Sequence, residues 1–301
     1  MPVKALIKSM RLRTLPLSLA GVVCGGVMGY AHPACRPGSH IFLVLTAVML
    51  QILTNLSNEL GDHLSGVDSE GREGPAYGMA NGLTEKQLWR AINTMVVLCA
   101  VSGLLMVWLS RSPWWLLLLG AAAIWAATHY TLGKKPYGYI GLGDLFVFLF
   151  FGLASVLGSH YVIAHTLLSP YTQSILPVLA PAVGVGLLSV AVLNVNNIRD
   201  MQSDDGLRKT IPLRIGERAA KIYQTLLVVL GVACFAWNTE DLFMCVLPLS
   251  PFFLWHIIGV WRRKGKRLDP MLPLLVLSTF VLAWWYAEVY NIELTCPWPI
   301  W

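Results

Sequence analysis

Two short stretches of this sequence gather amide and carboxylate side chains at helical spacing. The first is Asn55-Leu-Ser-Asn58-Glu-Leu-Gly-Asp62, with Asp68 six residues further on. The second is Asn196-Asn197-Ile-Arg-Asp200-Met-Gln-Ser-Asp204. Asn55, Asn58 and Asp62 stand at i, i+3 and i+7, and Asn196, Asp200 and Asp204 at i, i+4 and i+8, so each set lines one face of a helix. Acids stacked on one face repel unless a cation compensates them. Their oxygens are hard ligands suited to Mg²⁺, which is held by a few carboxylates together with substrate phosphates. Two such clusters could share metal ions across a diphosphate, whose leaving charge the metal and nearby Lys and Arg would neutralise. A single acid at a membrane edge is often only a solvated loop residue. Two clusters of one design on the same side make coincidence a poor explanation.

Each cluster follows directly on an apolar run. The chain is 56% hydrophobic and 13% charged, against roughly 25% charged in soluble domains. Its apolar residues fall into blocks near the length that crosses about 30 Å of hydrocarbon. The blocks, 15–30, 41–57, 92–109, 114–130, 142–163, 175–195, 222–238, 242–261 and 271–290, predict an all-α, polytopic membrane protein, a single domain over residues 1–301 with nine transmembrane helices. Alternate connections then hold all of the 22 basic residues except Arg36 and Arg111. This asymmetry puts the N-terminus and both clusters in the cytoplasm and the C-terminus outside. It also accounts for the net charge of +6 with the lipid bilayer as partner and no nucleic acid. Two cytoplasmic connections, about 58–91 and 196–221, are long and hold most of the acids; Arg72, Lys134, Lys135, Arg208 and Lys209 lie on the same side. His129, His160, His165 and His256 lack the spacing of a helical metal site, and no phosphate-cradling Gly-rich loop is present.

These residues resemble the paired Asp-rich motifs of the UbiA superfamily of intramembrane prenyltransferases, and more closely its 1,4-dihydroxy-2-naphthoate polyprenyltransferase branch in menaquinone synthesis. The resemblance runs through Arg11-Leu-Arg13-Thr14-Leu15-Pro16, Asn58 to Asp62 and Gly66-Val-Asp68, Arg72-Glu-Gly74-Pro75, Tyr130-Thr131 to Pro136, Gly141 to Gly152, and Asn194 to Gly216. It implies a nine-helix bundle in the cell (inner) membrane, with Mg²⁺ as cofactor, and polyprenyl diphosphate and 1,4-dihydroxy-2-naphthoate as substrates. Asn58, Asp62, Asp68, Asn196, Asp200 and Asp204 match the metal-binding motifs. Asp62, Asp68, Asp200 and Asp204 are the catalytic candidates. Arg72, Lys209 and Lys134 or Lys135 would contact diphosphate, Tyr130 the cation or acceptor, and Asp144 the acceptor. The sequence departs from the pattern at Glu59, at Leu207-Arg208-Lys209-Thr210, at the Lys134-Lys135 pair and at Asp144. Transfer to 4-hydroxybenzoate or a related aromatic acid is the nearest alternative. A secondary transporter would place ionisable groups in mid-span, and no span here carries one.

Overall fold

In a computed structural model the described residues are 2–66, 77–170, 172–236 and 245–295, side chains being described to residue 291. Every regular element among them is helical. The long helices are α1 (Leu15–Gly29), α2 (His40–Leu64), α3 (Glu85–Ser110), α4 (Leu116–His129), α5 (Gly143–Ala164), α6 (Leu176–Arg199), α7 (Glu217–Ala236), α8 (Ser250–Arg262) and α9 (Met271–Thr295). All nine apolar blocks overlap these helices. By length and composition, however, seven stretches among the described residues are able to cross a membrane. The exceptions are α4 and α8, with 14 and 13 residues, or about 20 Å at 1.5 Å per residue.

Alpha-helices suit an apolar medium because they satisfy their own backbone. In the bundle α1 packs against α5 and α9, α6 against α5 and α7, and α2 against α3. Gly152 of α5 meets Gly186 of α6 so closely that a Cβ on Gly152 would stand 2.5 Å from the Gly186 Cα. Around that contact Phe148–Ala154 adopts a π-type turn, a distortion frequent at functional sites.

Polar side chains inside the bundle satisfy one another. Asn194 Nδ2 donates to Gln224 Oε1 at 2.9 Å, Gln224 meets His256 Nε2 at 3.0 Å, and His256 Nδ1 meets the Met271 carbonyl at 3.0 Å. The string fastens α6, α7, α8 and α9 together. His256 is thus a buried structural residue, in keeping with its lack of metal spacing.

The length of α2 matters most for the site. Its 25 residues run to about 37 Å, longer than the hydrocarbon core, with Asn58 and Asp62 in the turns nearest its C-terminal end. At α6 the helix proper ends on Arg199, and Asp200 leaves helical geometry at φ −93°, ψ 8°. The Asp204 amide still donates to the Asp200 carbonyl at 2.9 Å, so helical phase carries on through Met201–Asp204.

Candidate active site

The ends of α2 and α6 meet at the mouth of one cavity. A cavity of about 580 Å³ begins at Asn58, Asp62, Asn196 and Arg208 and reaches Leu43, Val107 and Val162 near the other ends of their helices. Its lining is mainly apolar below the mouth, with Tyr130, Phe150 and Phe151 on the wall. The π-type turn supplies the two phenylalanines.

Asp62 is buried, and its Oδ1 accepts from Tyr139 Oη at 2.8 Å and from Arg208 Nη2. Arg208 Nη1 lies 3.6 Å from Asp204 Oδ2. One guanidinium therefore joins an acid of each motif, from positions 142 residues apart in sequence. Burial alone would pull the pKa of Arg208 down, but Asp62 and Asp204 push it up further. Its guanidinium also lies over the Tyr139 ring, 4.9 Å from the centroid. Burial, reinforced by Asp62, raises the Tyr139 phenol to about 12, so it stays a neutral donor at ordinary pH.

Neighbouring loops fix these groups. The 130–142 connection carries Tyr139, and its Thr131 hydroxyl donates to the Ser57 carbonyl at 2.9 Å. Gly61 permits that approach, since a Cβ there would stand 2.5 Å from Thr131 Oγ1. The Lys209 amide donates to the Tyr139 carbonyl at 3.0 Å, so the loop after Asp204 is pinned to the loop holding Tyr139. Glu59, the departure in the first motif, is buried and accepts from the Met79 amide at 2.6 Å. It anchors the chain returning toward α3.

The two motifs are used differently. Asp200 receives Arg199 Nε at 2.8 Å and Nη2 at 2.7 Å, and Arg199 also reaches Asn196 Oδ1 at 2.8 Å and Asp269 at 2.9 Å. Asp200 thus lies in a buried ion-pair network, while Asp62 lines the cavity. Lys134, Lys135 and Lys209 are exposed and do not line it. Asp144 accepts from Tyr223 Oη at 3.0 Å, tying α5 to α7. Asp68 and Arg72 fall outside the described residues.

The cavity mouth also holds groups that motif spacing does not single out. In the sequence Arg208 is one of twenty basic residues assigned to the same side, and Tyr139 carries no signal of its own. Arg11 and Arg13 also line the cavity; the Arg11 guanidinium sits 3.7 Å from the Tyr77 ring centroid, and Arg13 donates to Tyr77 Oη at 3.2 Å. Arg11 and Arg13 fall in one of the stretches that carry the family resemblance, and Arg208 in the loop after the second motif.

The donor set fits a hard divalent cation. Asn58, Asp62 and Asp204 offer oxygens, and a positive group of the chain itself already stands between the two carboxylates. Among the described residues no three His, Cys, Asp or Glu side chains gather closely enough to cage a metal alone. That matches Mg²⁺, which usually keeps waters and takes substrate phosphate oxygens in place of a full protein cage.

An all-helical, multi-pass membrane protein with a long apolar cavity under an acidic, arginine-bearing mouth is the class that fold and site define. Within that class the chain belongs to the UbiA prenyltransferase family, whose model matches residues 18–279, and it is a prenyltransferase. It is 39% identical over 239 residues to the 1,4-dihydroxy-2-naphthoate octaprenyltransferase of Escherichia coli (strain K12), covering 77% of this chain and 75% of that protein. It is also 39% identical to the protein of the same name from Mycobacterium tuberculosis, over 285 residues, 92% of this chain and 93% of that one. Its fold is similar to that of a UbiA homolog from Aeropyrum pernix K1, with TM-score 0.68, 16% identity, and 90% and 96% of the two chains covered. A UbiA homolog from Archaeoglobus fulgidus bound to GPP and Mg²⁺ gives TM-score 0.66 at 14% identity, covering 96% of this chain and 99% of that one.

Proposed function

We propose that this protein transfers a polyprenyl group from polyprenyl diphosphate to 1,4-dihydroxy-2-naphthoate, releasing diphosphate and CO₂ and forming demethylmenaquinol. The observation that carries the reading is the joining of Asp62 and Asp204 through Arg208 at the mouth of a deep apolar cavity. The names of the relatives supply the acceptor, and the GPP and Mg²⁺ bound to the similar archaeal structure agree with the donor and metal.

Asn58, Asp62, Asp68 and Asp204 would hold Mg²⁺, with Asn196 and Asp200 sharing their oxygens with Arg199. An ionised carboxylate has about four lone-pair sites, so the two Arg199 bonds leave Asp200 further capacity. When bound, the metal supplies charge neutralisation for the departing diphosphate. The chain does the rest. The cavity takes the polyprenyl tail and keeps water from the allylic carbon, and Tyr130, Phe150 and Phe151 present ring faces to developing positive charge. Arg72, Lys134, Lys135 and Lys209 draw the diphosphate to the mouth, and Asp144 helps orient the acceptor from the start of α5. The allylic C–O bond breaks with its electron pair leaving on diphosphate. The ring carbon bearing the carboxylate then forms the new C–C bond. Loss of CO₂ from that carbon returns the pair to the ring, with no proton lost there. Nine crossings of the cell (inner) membrane, with the N-terminus and active site cytoplasmic and the C-terminus outside, complete the proposal; α4 and α8 are its two short crossings.

The test is to incubate purified protein with Mg²⁺, a polyprenyl diphosphate and each candidate aromatic acid, and to identify products by mass spectrometry. Prenylated naphthalenediol with stoichiometric CO₂ is expected. A prenylated product that keeps its carboxylate would sink the acceptor assignment.

A further inference from the structure

We propose that Arg208 is an internal counter-ion that a divalent cation must displace, and that the freed guanidinium then becomes a contact for the donor's diphosphate. This deepens the metal-dependent reading above and rests on it.

Asp62 and Asp204 come from opposite motifs and their side chains are only 3% and 2% exposed. Bringing two carboxylates together away from water is unfavourable without compensating positive charge. Arg208, itself 7% exposed, provides such charge to both. Its Nη2 donates to Asp62 Oδ1, and its Nη1 stands 3.6 Å from Asp204 Oδ2. Asp62 Oδ1 accepts from both Tyr139 and Arg208, which takes up its two lone pairs, so a divalent ion that uses this oxygen requires Arg208 to withdraw from it.

Where the guanidinium goes is set by its place on the chain. Its amide donates to the Asp204 carbonyl at 3.0 Å, so the backbone stays beside the acid even when the side chain turns. Arg208 lines the cavity mouth. Arginine is weakly hydrated and forks onto phosphate oxygens. Displacement therefore turns a competitor of the metal into a ligand for the anion that arrives with it. Metal and diphosphate binding become coupled, as linkage requires when both act on one bistable group.

The proposal gives Arg208 opposite effects on two affinities, which a simple phosphate contact or a simple structural residue would not have. The experiment uses the full chain in detergent. Mn²⁺ alone is titrated by electron paramagnetic resonance, and inorganic pyrophosphate binding is then measured at saturating Mn²⁺. Arg208→Gln should bind Mn²⁺ about tenfold tighter than wild type yet bind pyrophosphate at least about tenfold more weakly. Unchanged or weaker Mn²⁺ binding in the folded variant overturns the proposal. If Arg208→Gln fails to fold, Arg208→Lys, which keeps the charge but loses the fork, takes its place. Tighter Mn²⁺ binding supports displacement, and unchanged binding rejects it. Absence of Mn²⁺ binding in wild type as well marks failure of the metal reading itself, and overturns this proposal with it.

Discussion

The C-terminal ends of α2 and α6 carry the same kind of motif, yet the fold places their acids differently. Asp62 faces the cavity and shares Arg208 with Asp204, whereas Asp200 is clasped by Arg199 within a network that reaches Asp269. Helical spacing places acids on a common face, and the neighbouring elements then decide which acid borders the cavity and which is held in an ion-pair network. Asp62 borders the cavity and pairs with a buried arginine that Asp204 also faces, whereas Asp200 pairs with a buried arginine away from the cavity lining.

The largest effects should come from alanine substitutions. Asp62→Ala is expected to lower the transfer rate at least about 10²–10³-fold, the scale of losing a transition-state charge stabiliser, and also to lower the thermal transition, since buried Arg208 is left with Asp204 alone. A folded Asp62→Ala protein with normal turnover would remove this carboxylate from the reaction. Asp200→Ala should also lose activity, with a destabilisation of about 3 kcal/mol, since one partner of a buried pair is left behind. Thermal unfolding in detergent measures it; a melting curve matching wild type would contradict that pairing.

Removing Tyr139 Oη sharpens the comparison on the Asp62 side. Tyr139→Phe forfeits one hydrogen bond to a charged group, worth about 1.5 kcal/mol, and should lower kcat/KM about tenfold. The high phenol pKa further requires that this loss be the same from about pH 6 to about pH 9. A deficit that changed with pH over that window would show the phenol titrating and contradict its role as a fixed donor. The smallest effect belongs to the exposed lysines. Replacing Lys134 and Lys135 together by alanine should raise the donor KM only about threefold, and the difference should fade at high salt because exposed charges act through a screened field. A salt-insensitive rise would instead indicate direct contact.

Much of this arrangement is legible in the sequence. The apolar blocks and the basic asymmetry place Asn58, Asp62, Asn196, Asp200 and Asp204 at the same end of the bundle. The spacing also picks out Asn58, Asp62 and Asn196, which line the cavity mouth. Helix length is less legible: α4 and α8 look like full spans because hydropathy records where apolar residues lie, and turn residues at their ends shorten the helix itself. The partners of the acids are not legible at all. Arg199 stands one residue from Asp200 and Arg208 lies 146 residues from Asp62. Nothing in local spacing says that the first quenches its neighbour while the second bridges two distant helices. Tyr139 is hidden for the same reason. Its role depends on Gly61 and Thr131 drawing α2 and the 130–142 loop together, a tertiary contact without a local signature.

The central claim is that the two motifs form one cation site. A double-mutant cycle on Mn²⁺ affinity tests it, using Asp62→Asn, Asp204→Asn and the pair combined. The account predicts strong non-additivity, with either single change removing most of the affinity and the double variant binding little worse. Independent, additive losses would mean that each motif binds its own ion, and would contradict it.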